Sequence, residues 1–98
     1  MTFRKDAEQN EIRALRKLVD FSDQRVLEIG CGEGRLTWEY ARPAKQVVGI
    51  DPDLDAVRVA NYDRPAELRK TTTFACASSL KLPFPNESFD IALFSWSL

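Results

Sequence analysis

The residues with the clearest chemical potential lie in the stretch VLEIGCGEG, residues 26–34. Three of the chain's four glycines, Gly30, Gly32 and Gly34, follow a short apolar segment that carries one acid, Glu28. Glycine adopts positive φ in a tight turn without steric cost, and it lets the backbone approach a ligand closely. A glycine turn directly after a buried strand is therefore predicted to bind a ligand through its backbone.

Two acids are predicted to face this turn. Asp51 ends a second apolar segment, QVVGID, about 20 residues after the first glycine, where a carboxylate is placed to accept both ribose hydroxyls of a nucleoside. The alternative for Asp51 is a helix N-cap, because Pro52 and a helical segment follow it. Glu28 is costly to bury unless it is hydrogen-bonded or paired. It therefore either points to a solvated edge or lies close to a cationic group of the ligand.

Composition narrows the chemistry that this chain can support. It has no histidine, which removes the commonest general base and a common metal ligand, and no metal site is predicted. Cys31 and Cys76 lack the C-x-x-C spacing and are expected to be two reduced thiols. The net charge is −1, with no long block of either sign, so no nucleic-acid partner is expected.

These residues need a scaffold that brings strand ends together, and the apolar pattern predicts one. Short apolar strands alternate with amphipathic helices, which favours right-handed βαβ units in one α/β domain. The fourth strand is nearly continuous in apolar residues and is expected to be covered on both faces. The predicted elements are a helix in 4–20, a strand at 24–29, a helix at 35–42, a strand at 46–51, a helix at 52–64, and strands at 71–77 and 88–98.

The glycine spacing distinguishes between nucleotide ligands. A dinucleotide fingerprint, G-x-G-x-x-G/A, requires glycine or alanine at position 35, where this chain has Arg35. The spacing therefore argues against a nicotinamide-dependent enzyme.

Three segments resemble the motifs of class I S-adenosylmethionine-dependent methyltransferases of the small-molecule type, often seen in quinone and sterol methylation. They are VLEIGCGEGRLT, VVGIDPD and CASSLKLPFPNESFDIALFSWSL, in the family's order, and the resemblance covers residues 24–98. It implies a Rossmann-like parallel sheet with flanking helices and strand order 3-2-1-4. The implied cofactor is S-adenosylmethionine, and the implied partner is a small-molecule methyl acceptor. The chain is taken as one truncated domain, with the leading helix in 1–22.

The resemblance also implies a role for each residue that matches a motif. The backbone of Gly30, Cys31 and Gly32 would contact the methionine and ribose portions, with Gly34 keeping the turn compact and Glu28 near the methionine amino group. The remaining residues would contact the adenosine or the methyl group: Asp51 the ribose hydroxyls, Pro52 and Leu54 the adenine face, Ser78 and Ser79 the adenine edge, and Ser95 the region of the transferred methyl. Family members often carry an acid followed by a small residue where this chain has the two serines, so adenine recognition is expected to depend more on the backbone.

Family members typically continue through three further strands, whereas this chain ends at Leu98. We therefore expect a truncated form, a gene fragment or a chain completed by another. The fourth strand would then be an apolar edge without protecting lysine or proline, and self-association is expected. A non-catalytic nucleoside-binding or assembly module stays an alternative. No apolar run reaches the roughly 18 residues of a membrane helix, and the first residues lack the apolar stretch of a signal peptide, so a cytoplasmic location is expected.

Overall fold

The computed structural model of the chain describes residues 20–78 and 88–95, which contain a four-stranded parallel sheet. Its strands have the order β3-β2-β1-β4, so the predicted α/β class and strand order are confirmed. The predicted leading helix falls almost wholly within residues 1–19, outside the described part. The strands are β1 Arg25–Ile29, β2 Gln46–Asp51, β3 Thr72–Cys76 and β4 Ile91–Phe94.

Two helices connect the first three strands. Helix α1, Thr37–Tyr40, lies between β1 and β2, and helix α2, Leu54–Asp63, lies between β2 and β3. A short 3-10 helix, Ala66–Leu68, follows α2 and was not expected from the sequence. Both crossovers bring their helices to the same face of the sheet, as successive right-handed βαβ units require.

Both helices are shorter than the sequence predicted. Helix α1 covers only four of the eight residues expected at 35–42, because the chain is still folded in turns up to residue 36, with the Gly34 N–H bonded back to the Cys31 carbonyl at 3.0 Å. Helix α2 begins at Leu54 rather than at 52 and ends at Asp63. Arg64 leaves the helical region because it precedes Pro65.

The sheet has an apolar core on each face. On the helix side, Val26 and Val47 are fully buried and pack with Tyr40 of α1, and Phe74 packs with Val57 of α2. On the opposite side, the buried residues are Leu27, Ile29, Val48 and Ile50. Near-continuous apolar runs in β1 and β2 are explained by this burial on both faces.

Strand β4 differs from its prediction. Its burial alternates along the strand instead of being complete, because Ile91 and Leu93 pack against the core whereas Ala92 and Phe94 are exposed. Phe94 is 58% exposed. The expectation that β4 is covered on both faces is therefore wrong, and only the central four residues of the predicted 88–98 segment are described as strand. In the described part of the chain, no helix is long and apolar enough to cross a bilayer.

Candidate functional site

The glycine turn lies at the carboxyl end of β1, next to the end of β2. Gly30, Gly32 and Gly34 all have positive φ, at 82°, 55° and 87°. The turn is fixed to β2 because the N–H groups of Gly30 and Cys31 both donate to the Ile50 carbonyl, at 2.8 and 3.1 Å. The predicted use of glycine to form a tight turn after a buried strand is confirmed.

The carboxylate of Asp51 lies against this turn. Its Oδ2 accepts the Gly32 N–H at 3.0 Å, and its Oδ1 accepts the Asp53 N–H at 2.8 Å. Each oxygen of a carboxylate has two acceptor positions, so each retains one for a ligand hydroxyl. The predicted position of Asp51 beside the turn is confirmed, whereas its role as ribose acceptor stays a prediction.

The cap of helix α2 is Asp53, so the alternative reading of Asp51 as the N-cap is wrong. The Asp53 Oδ1 accepts the N–H groups of Asp55 and Ala56, at 3.0 and 3.2 Å. The Asp51 carboxylate instead accepts from Gly32 and Asp53. The Asp51 carboxylate is therefore held by the glycine turn and by the residue that caps α2, whereas Asp53 accepts the N–H groups in the first turn of the helix.

The residues predicted to contact adenine occupy the adjoining strand ends. Pro52 is exposed, and Leu54 is 47% exposed, so apolar surface is available beside Asp51. Ser78 is exposed after β3, whereas Ser79 lies outside the described residues. Cys76 was not predicted to lie beside these residues, yet its Sγ donates to the Pro52 carbonyl at 3.4 Å. The parallel register, which pairs Asp51 with Cys76, explains this proximity.

Glu28 lies on the helix side of β1 and is completely buried. Its Oε1 accepts the hydroxyls of Thr37 at 2.7 Å and Tyr40 at 2.5 Å. Its Oε2 is 2.7 Å from the Ser95 Oγ, which also lies 3.0 Å from the Gly30 carbonyl oxygen. The expectation of a solvated edge for Glu28 is therefore wrong, because the side chain is enclosed by protein hydroxyls.

Burial dominates the electrostatics of this cluster. It raises the pKa of Glu28, although the hydroxyls of Tyr40, Ser95 and Thr37 partly oppose that shift. Burial is the main cause that raises the pKa of Cys31 to about 12. The pKa of Tyr40 is also raised, chiefly by burial. Cys31 is therefore a neutral buried thiol, and both cysteines are free, as predicted.

The space around two of the glycines differs sharply. A Cβ added at Gly32 would meet nothing within 4 Å, so the turn opens onto free space at this position. A Cβ added at Gly34 would lie 2.6 Å from Cζ2 of Trp38, whose ring packs edge-on against Phe74. Gly32 therefore faces the candidate ligand space. Gly34 is needed for packing, because a side chain at this position would collide with the ring of Trp38.

Sequence reasoning placed Ser95 near the reacting methyl but missed the residues that hold Glu28. Thr37 and Tyr40 are spaced i, i+3 on one face of α1, which is the available signal that they share a target. Ser95 follows β4, with its N–H donating to the Ile29 carbonyl at 2.9 Å, beside the turn. Its side chain contacts Glu28 and Gly30, and its proximity to a methyl group stays a prediction.

The arrangement fits a nucleoside. Asp51 offers two acceptor positions for adjacent hydroxyls, Leu54 and Pro52 offer an apolar surface, and Gly32 leaves room for close backbone approach. In the described residues, no group of three histidine, cysteine, aspartate or glutamate side chains is placed to hold a metal ion.

Comparison with known proteins gives a consistent result. The family described as "Methyltransferase domain" matches residues 26–98. Among curated proteins, the chain is 34% identical over 93 residues to phosphoethanolamine N-methyltransferase 1 of Triticum aestivum, covering 93% of this chain and 18% of that protein. It is 32% identical over 90 residues to demethylmenaquinone methyltransferase of Porphyromonas gingivalis, covering 88% of this chain and 37% of that protein.

A solved structure gives the same match in three dimensions. The S-adenosylmethionine-dependent methyltransferase from Mesorhizobium loti superposes with a TM-score of 0.73 at 29% identity, covering 90% of this chain and 39% of that one. The chain therefore spans well under half the length of each of these three proteins.

Proposed function

The chain belongs to the class I S-adenosylmethionine-dependent methyltransferase family, and we propose that it forms the cofactor-binding part of an enzyme that methylates a small molecule. The observation that carries this proposal is the hydrogen bond between the Asp51 carboxylate and the Gly32 N–H, which joins the two predicted features of a nucleoside site in one place. The acceptor is unidentified. A phosphoethanolamine methyltransferase and a demethylmenaquinone methyltransferase among the relatives support a small-molecule class.

Each site residue has a proposed task in holding S-adenosylmethionine. Asp51 accepts the ribose hydroxyls, and Pro52 and Leu54 pack against adenine, with Ser78 and Ser79 at the adenine edge. The backbone of Gly30, Cys31 and Gly32 contacts the ribose and methionine portions, and Gly34 keeps that backbone compact. Ser95 lies near the methyl group. Glu28, which the resemblance places near the methionine amino group, is given no cofactor contact here, because its side chain is buried and held by protein hydroxyls.

The cofactor itself supplies the reactive methyl group, carried on a sulfonium. What this part of the chain contributes is orientation, because fixing the nucleoside at Asp51 and the backbone at the glycine turn restricts how the ligand lies across the strand ends. The lack of histidine is compatible with this division of tasks, since binding and alignment here use carboxylate and backbone groups.

The proposal is tested by calorimetric titration of the chain with S-adenosylhomocysteine and, separately, with NAD. We expect saturable binding of S-adenosylhomocysteine and none of NAD, because Arg35 stands where the dinucleotide fingerprint requires glycine or alanine. Saturable binding of NAD alone would contradict the proposal. Binding of neither ligand would favour the alternative of a non-catalytic assembly module.

Self-association through β4 belongs to the same proposal. Among the described strands, β4 pairs with β1 alone, and two of its four residues, Ala92 and Phe94, are exposed. An apolar strand that is hydrogen-bonded on one side only, as β4 is among the described strands, is a template for pairing with a second copy. A cytoplasmic location and the absence of a nucleic-acid partner stay predictions from the sequence.

We expect light scattering at micromolar concentration to show a dimer or larger species, and the substitution Phe94→Lys to shift it towards monomer. Lysine places a charge on the exposed apolar strand and opposes pairing. The matched control is Tyr62→Lys, which removes an aromatic side chain that is 87% exposed on α2 and should leave the association unchanged. A monodisperse monomer of the unmodified chain would refute this part of the proposal.

A further inference from the structure

The buried cluster around Glu28 contains more contacts than its hydroxyls can satisfy. Four short contacts join the cluster: Thr37 and Tyr40 to Glu28 Oε1, Ser95 to Glu28 Oε2, and Ser95 to the Gly30 carbonyl. Each hydrogen bond needs one proton, and each hydroxyl has only one to donate. The three hydroxyls therefore supply three protons for four contacts.

A proton on Glu28 Oε2 completes the set. The acid then donates to the Ser95 Oγ at 2.7 Å, and the Ser95 hydroxyl donates to the Gly30 carbonyl at 3.0 Å. Oε1 continues to accept from Thr37 and Tyr40. Without that proton, the Ser95 hydroxyl can donate to the Glu28 carboxylate or to the Gly30 carbonyl, but not to both.

The surroundings of Glu28 also disfavour a charge. The side chain has no exposed surface, and the hydrogen-bond partners of its two oxygens in the described part of the chain are hydroxyl groups. The titratable groups that face it are Tyr40 from α1 and the Cys31 thiol from the turn, with the Asp51 carboxylate beyond, at the end of β2. None of these supplies positive charge, and an unpaired buried carboxylate is costly.

We infer that Glu28 is held as a neutral carboxylic acid that positions the glycine turn through Ser95, rather than contacting the cofactor as a charged group. Its contacts join three parts of the fold: α1 through Thr37 and Tyr40, the residue after β4 through Ser95, and the turn through the Gly30 carbonyl. The neutral state rests on the buried contacts alone, whereas the effect on ligand binding rests on the proposed function.

A neutral Glu28 in the folded chain determines how the folding stability changes with pH. Burial raises the pKa of Glu28 above the ordinary glutamate value of about 4.3. Its contribution to folding stability is therefore complete below that value and is lost as the pH rises through the folded-state pKa. The variant Glu28→Gln, which mimics the neutral acid, should lose less stability than the unmodified chain over the same rise in pH.

The direct test is infrared spectroscopy of the unmodified chain and of Glu28→Gln at neutral pH. We expect the difference spectrum to show the C=O stretch of a protonated carboxylic acid. Glu67→Gln is the matched control, because Glu67 is exposed and paired with Arg42, and its difference spectrum should show an ionised carboxylate only. Absence of the protonated band in the Glu28 difference spectrum would overturn the inference.

Ligand affinity separates positioning from direct contact. Because the glutamine amide can donate to Ser95 as the neutral acid does, Glu28→Gln should bind S-adenosylhomocysteine within about twofold of the unmodified chain. A folded Glu28→Gln variant with a loss of about tenfold or more, the size expected for a lost hydrogen bond to a charged group, would overturn the positioning role. If the unmodified chain binds no S-adenosylhomocysteine, the proposed function fails, and the infrared band still decides the protonation of Glu28.

Discussion

Replacing Asp51 with alanine is expected to weaken binding of S-adenosylhomocysteine by about 100-fold, measured by calorimetric titration. The Asp51 carboxylate holds the N–H groups of Gly32 and Asp53 and is proposed to accept both ribose hydroxyls. Hydrogen bonds to a charged group contribute about 1.5–3 kcal/mol each, so loss of the ribose contacts costs about 3 kcal/mol or more. Circular dichroism of the variant should show that the sheet is retained.

The matched control for this substitution is Asp63→Ala. Asp63 is an exposed aspartate at the last position of α2, the opposite end of that helix from Asp51. It should leave the affinity unchanged, because it contributes nothing to the proposed site. An Asp51→Ala variant that binds within about threefold of the unmodified chain would contradict the assignment of Asp51 to the ribose, since a threefold change is below the loss of a single such hydrogen bond.

Replacing Gly34 with alanine is expected to lower the free energy of unfolding by about 2–5 kcal/mol, measured by urea denaturation. The new Cβ would lie 2.6 Å from the Trp38 ring, and the residue has a φ of 87°. The left-handed backbone costs about 1–2 kcal/mol for a residue other than glycine, and overpacking adds about 1–3 kcal/mol. Trp38 cannot move freely, because its ring packs against Phe74.

The contrasting variant is Gly32→Ala, which has the same chemistry but a different environment. Its Cβ would meet nothing within 4 Å, so only the backbone cost of about 1–2 kcal/mol applies to stability. We expect this variant to fold and yet to bind S-adenosylhomocysteine more weakly, because the methyl group occupies the proposed ligand space. Equal losses of stability in the two variants would contradict the distinction between the ligand-facing and the packed glycine.

The features predicted correctly from the sequence are those that the spacing and order of the strands determine. The position of Asp51 beside the glycine turn follows from two consecutive strands of a parallel sheet, whose carboxyl ends must meet at one edge. Strand β2, Gln46–Asp51, has the predicted bounds because a polar residue begins it and Pro52 follows it. The prediction succeeds here because spacing and topology alone determine it.

The errors arise where side chains compete for the same backbone groups. The sequence places an acid at both 51 and 53, and either can cap a helix. Asp53 is the cap because the Asp51 carboxylate is already held by the Gly32 N–H of the turn. That contact joins residues 19 positions apart and becomes visible only when the turn geometry is known.

The environment of Glu28 was not predictable for a related reason. Its partner Ser95 lies 67 positions away along the chain, and Thr37 and Tyr40 reach it only because α1 is a single short helix packed over β1. A buried acid requires partners, and the sequence alone does not say whether they are ligand groups or protein hydroxyls. Strand β4 shows the same limit, since an apolar run does not reveal which of its faces is covered.

The glycine turn and Asp51 are proposed to form one cofactor site. The most direct test of this proposal is a titration of the 15N-labelled chain with S-adenosylhomocysteine, followed by the backbone amide signals in NMR. We expect the largest shifts at Gly32 and Asp53, whose N–H groups donate to the Asp51 carboxylate, and no shift at the far end of α2, for example at Asp63. Saturable binding that leaves the Gly32 and Asp53 signals unchanged would contradict the proposal.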